Sequence, residues 1–146
     1  MKPGVAVILT ACAGGLVAMQ APINSALGRA AGTFAAASIS FIIGTTALVG
    51  ITVLSGQKVD LAAVGDLRWY YLIGGLLGAA YVTTVLVSVR TLGAGGVTAA
   101  TIAGQLSTSV LLDRLGAFGL PEKPLSIARV AGVALLAVGV FLIVRD

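Results

Sequence analysis

The chain has 146 residues, of which 58% are apolar and 10% charged, with nine Lys or Arg against five Asp or Glu. Soluble domains carry about 25% charged residues and disordered chains combine low hydrophobicity with high charge, so both classes are excluded, and these cations are too sparse for a nucleic-acid footprint. With no His and one Cys, the composition supplies no His-based triad, no His or multi-Cys metal site and no internal disulfide, which leaves an integral membrane protein without a cofactor.

The gaps between charges define the elements. A spanning helix needs about 20 mainly apolar residues at 1.5 Å each. Uncharged stretches run from Pro3 to Gly28, Ala30 to Gln57, Trp69 to Val89, Thr91 to Leu112 and Val130 to Val144. The last reaches spanning length if Leu125 and Ser126 extend it and Arg129 snorkels. The expectation is an all-α integral membrane protein, a single transmembrane domain over 1–146 with five helices at about 4–27, 33–55, 69–90, 94–112 and 125–144.

Near the start, Leu9-Thr10-Ala11-Cys12 after Lys2 imitates a lipoprotein cleavage site. The apolar part of a signal peptide is only 7–15 residues long, whereas this chain stays apolar well beyond Cys12. Cys12 is therefore expected to be a small packing residue. Gly28 to Gly32 joins the first two helices. Gly56 to Arg68 holds Lys58, Asp60 and Asp66 and is aqueous. Trp69, Tyr70 and Tyr71 then open the third helix at the depth of an aromatic belt. Tight turns are expected at Gly93–Gly96 and at Gly116–Pro124, the latter closed by a proline suited to a helix start.

An odd number of crossings puts the two ends on opposite faces. Lys2, Lys58, Arg68, Arg114, Lys123 and Arg129 then share the N-terminal face, against Arg29, Arg90 and Arg145 on the other. The positive-inside rule favours a cytoplasmic N-terminus.

Helix packing in lipid relies on small residues. Gly14, Ala18, Ala21 and Ser25 form such a stripe on the first helix, Gly74 and Gly78 on the third, and Ala100, Ala103, Gly104 and Ser107 on the fourth. A polar set runs beside them. Gln20 and Asn24 flank Pro22, which cannot donate to the Ala18 carbonyl and is expected to kink the helix. Tyr81, Thr84 and Ser88 follow on the third helix, and Thr98, Thr101, Gln105 and Thr108 on the fourth, with Asp113 at its end. Polar groups in hydrocarbon normally face the interior or a wet cavity, and a broken helix at the midplane is a recurring transporter device. The same groups could instead bond across helices as structural glue. The fifth helix has no polar side chain from Val130 to Val144, so its partners are lipid or another copy.

Helix one reads QAPINSALGRAAG (Gln20 to Gly32), followed by ISF at Ile39 to Phe41; later come AGQLSTSVLLDRLGAFG (Ala103 to Gly119) and KPLSIARVAG (Lys123 to Gly132). In order and spacing these segments resemble the half-size, five-helix bacterial branch of the drug/metabolite transporter superfamily, over nearly the whole chain. The resemblance implies one half of an inverted-repeat transporter in the bacterial inner membrane. An antiparallel partner, either a second copy or a paralogous chain, would complete it, as in small multidrug resistance transporters. Two features depart from those patterns. The first span holds no acid where small multidrug resistance proteins use a membrane-embedded Glu, and Val89 to Gly93 lacks the proline common before helix four in similar proteins.

The functional expectation is alternating access for a small polar metabolite or an organic cation. Gln20, Asn24, Tyr81, Thr101 and Gln105 form the candidate substrate-binding set. Arg29 of one copy and Asp113 of an inverted one would reach the same face and could close that end, in competition with local pairs of Asp113 with Arg114 or Arg129. The alternative is a non-transporting membrane scaffold or accessory subunit. An ion channel lacks a charge ring or carbonyl filter, and an enzyme lacks a nucleophile–base pair or metal cluster.

Overall fold

The computed structural model describes residues 2–145; Met1 and Asp146, the ends of the expected 1–146 domain, lie outside the described residues. Those residues form helices and connections without a strand. Helix α1 spans Pro3–Ala31 and starts on a proline, whose missing N–H costs nothing in a first turn. It runs on through Pro22. Only Gly32 separates it from α2, Thr33–Leu54. Gly32 sits at φ 89°, ψ 155°, a conformation essentially restricted to glycine. Its N–H donates to the Gly28 carbonyl at 3.0 Å and its carbonyl accepts from Ala36 at 2.9 Å. The five-residue linker expected from Gly28 to Gly32 is thus mostly helix, because one glycine suffices to reset the backbone.

The aqueous connection contains a short helix α3, Leu61–Gly65, capped by Asp60, whose Oδ1 accepts from the Ala63 N–H at 3.0 Å. Trp69–Ile73 then form a 3-10 turn rather than a first α turn, with the Tyr70 and Tyr71 rings 4.7 Å apart. Helix α4, Gly74–Leu115, contains both the third and the fourth expected spans. At 1.5 Å per residue its length is about twice a hydrocarbon core of roughly 30 Å. Its helical geometry lapses at Gly93, φ 67°, ψ 173°. The turn expected over Gly93–Gly96 therefore reduces to one residue. A left-handed Gly116 and a 3-10 turn at Ala117–Gly119 precede an extended stretch, and α5, Ile127–Val144, begins after a Ser126 cap that accepts from the Arg129 N–H.

The chain forms two compact units, one running to Arg90 and one from Thr91. In the first, α1 packs on α2. Buried Ala21, Asn24, Ser25 and Gly28 of α1, Ala36 and Ala37 of α2, and Val82 and Leu86 of α4 make its core. Gly28 is required there: a Cβ would lie 2.7 Å from Leu86 Cδ2 and 3.0 Å from Arg90 Nη2. That contact brings the C-terminal end of α1, with Arg29, beside Arg90. Gly78 likewise admits the Phe41 ring, 3.3 Å from the position of a Cβ. The small stripe on α1 is only half used, since Ala21 and Ser25 are buried while Gly14 has open space around it. Cys12, expected to pack, is exposed. In the second unit, the Gly96 backbone approaches the Val144 side chain of α5.

Candidate functional site

Polar groups in the apolar helices divide by where their hydrogen bonds go. The hydroxyls of Thr46, Thr52, Thr84 and Ser107 donate to the carbonyls of Ile42, Leu48, Ala80 and Ala103 at 2.8–2.9 Å. Such back-bonding satisfies a hydroxyl within its own helix, so these four need no cavity. Amide side chains of Asn and Gln carry two donors and an acceptor and cannot be satisfied so simply.

Gln20 and Asn24, one turn apart, line an open groove between α1 and α2 of about 520 Å³. Ser40 is the third polar group in its wall, and Leu16, Ile23 and Ile43 are among the apolar ones. Asn24 is only 6% exposed, yet among the described residues nothing hydrogen-bonds its amide. The amide in the groove wall therefore keeps its donors and its acceptor available to a ligand or to water. Sequence reasoning missed Ser40. Its signal was available in the Ile39-Ser40-Phe41 segment, a hydroxyl one turn beyond two alanines.

The other candidates lie elsewhere. Tyr81 is half-buried on α4 in the first unit and is not in the wall of this groove. Thr101, half-buried, and Gln105, exposed, belong to the second unit. Arg29 is exposed at the end of α1. Asp113 has local partners, Arg129 at 3.3 Å and Lys123 at 3.8 Å, while its carbonyl accepts from the Lys123 N–H at 2.8 Å. Among the described residues Arg114 forms no ion pair with it. Lys123 was not foreseen, because only the folded 116–126 connection brings it back over the end of α4.

A second groove of about 380 Å³ lies within the second unit, between α4 and α5. Val110, Leu111, Leu125, Val130 and Ala134 line it with Ser107, whose hydroxyl is already committed to Ala103. It offers a polar solute nothing.

Residues 5–142 match the model of a family described as "Putative inner membrane exporter, YdcZ". Among curated proteins, the inner membrane protein YdcZ of Escherichia coli (strain K12) is 34% identical over 92 residues, which cover 60% of this chain and 61% of that protein. The match thus spans less than two thirds of that relative's length. No solved structure matches.

Proposed function

Because the chain belongs to the YdcZ family of multi-pass inner-membrane proteins of the drug/metabolite transporter type, we propose that it is a transporter of a small polar metabolite or organic cation, working by alternating access between two inverted copies. The observation that carries this reading is the α1–α2 groove with the unpartnered Asn24 amide in its wall. In this reading Gln20 and Asn24 contact the solute in the groove, and Tyr81, Thr101 and Gln105 are further candidates along its path.

Assembly from two copies is supported by how little one copy buries. Leu86 is the largest side chain that is fully enclosed among the described residues, and α5 has no buried residue. Gly14, Gly15 and Gly104 leave open space where tight helix contacts could form. In an inverted pair Arg29 would reach the partner's Asp113 only by displacing Arg129 and Lys123. The pair therefore forms in one state of the cycle, and a charge swap of Arg29 and Asp113 should restore assembly lost in either single variant.

The test is counterflow in liposomes holding the purified protein, with neutral polar and cationic solutes on trial. Asn24→Ala and Gln105→Ala are each expected to abolish flux while the protein remains folded. Unchanged flux in both variants would remove the amides from the pathway, and a wild-type protein that moves none of these solutes would leave the scaffold reading.

A further inference from the structure

We propose that the α1–α2 groove selects an uncharged amphiphile, a molecule with an aliphatic body and a hydroxyl or amide head, and rejects organic cations. This deepens the transport reading and rests on it. The argument starts from what the wall offers. Its polar groups are two carboxamides and one hydroxyl, Gln20, Asn24 and Ser40, and the rest is aliphatic, with no carboxylate and no aromatic ring among the lining residues. A cation entering the groove would lose hydration and meet neither an opposite charge nor a π face. Tyr81, the ring that could have supplied such a face, is not in the wall.

Asn24 sets the head group. Its amide presents donors and an acceptor together and has no partner among the described residues. A neutral amide or alcohol reciprocates both without bringing a charge into an apolar wall. Ser40 and Gln20 extend the same donor–acceptor pattern. Leu16, Ile23 and Ile43 offer an aliphatic body the surface that lipid would otherwise cover. Such a ligand can also reach an open groove laterally from the bilayer, where an ion partitions poorly.

Three diazirine probes with one aliphatic body separate the possibilities: N-acetyl-photoleucine amide (neutral), photoleucine amide (cationic) and N-acetyl-photoleucine (anionic). The whole protein in liposomes is photolabelled with each, and labelled peptides are mapped by mass spectrometry. Labelling of α5, which lines no part of this groove, is the internal reference for probe dissolved in the bilayer. The neutral probe is expected to label residues 16–43 over α5 at least fivefold more than either ion does. Asn24→Leu should remove that excess, Ser40→Ala should reduce it, and Thr84→Ala, whose hydroxyl is bonded within its own helix and lines no part of the groove, should leave it unchanged.

Asn24→Leu keeps the side-chain size and breaks no hydrogen bond among the described residues, so unfolding resistance should be retained; Asn24→Ser provides a second, shorter variant. Equal or stronger groove labelling by the cationic probe would overturn the proposal, as would neutral labelling that Asn24→Leu and Asn24→Ser leave unchanged. The two readings fail separately. Groove labelling by the neutral probe in a protein that moves no solute ends the transport reading alone, whereas cation flux with cationic labelling of the groove ends this one alone.

Discussion

Gly28 shows how one missing methyl can decide the packing of a membrane unit. Without a hydrophobic drive between helices, association depends on close van der Waals approach, and the Leu86 side chain of α4 lies directly over Gly28 of α1. Leu86 is fully enclosed, so it has little room to yield to a new Cβ. Gly28→Ala should destabilise the protein by about 1–3 kcal/mol, the usual cost of overpacking, read as a lower unfolding midpoint in detergent. Leu86→Ala in the same chain should recover part of the loss. A Gly28→Ala protein that unfolds like wild type would mean that the two helices are not held this closely. The small-residue stripe containing Ala21 and Ser25 was legible from spacing alone, yet Gly28 lay outside it, assigned to a linker. Spacing reports which face is small; it does not report where a neighbouring helix supplies a leucine.

Glycine clusters are ambiguous in sequence because the residue is tolerated in turns and, at a cost, in helices. Gly93, Gly95 and Gly96 together signal a turn, but only Gly93 leaves the helical region, at φ 67°, ψ 173°. A side chain there would be strained by about 1–3 kcal/mol, so Gly93→Ala should lower stability by that amount. Gly95 has a helical backbone with nothing within 4 Å of a Cβ, and Gly95→Ala should be neutral or stabilise by up to about 1 kcal/mol. Matched unfolding curves check both, and equal effects of the two substitutions would place the break elsewhere. The apolar segments themselves were legible, because charge-free length is a strong signal. Their ends were not: helix α1 continues through Arg29 to Ala31, since a cation in a last turn suits the helix dipole and its stem can snorkel.

At the scale of the whole molecule, the sequence reveals a membrane class and a polar inventory but cannot assign each polar group to a task. Thr84 and Asn24 look equivalent as polar residues in apolar runs; the first is satisfied by its own helix and the second lines a groove with no partner among the described residues. The same limit applies to assembly. The split of basic residues expected from five crossings, six on one face against three on the other, is only a modest bias. A modest bias lets one chain insert both ways round, which is what a pair of inverted copies requires. Reporter fusions at the C-terminus, one active only in the cytoplasm and one only outside it, should therefore both give signal in intact cells. Adding two lysines beside Lys58, on the face expected to be richer in cations, should drive the population to one orientation and, with it, reduce flux by more than half. Signal from one face alone in the unmodified protein would assign the opposite half to a different chain.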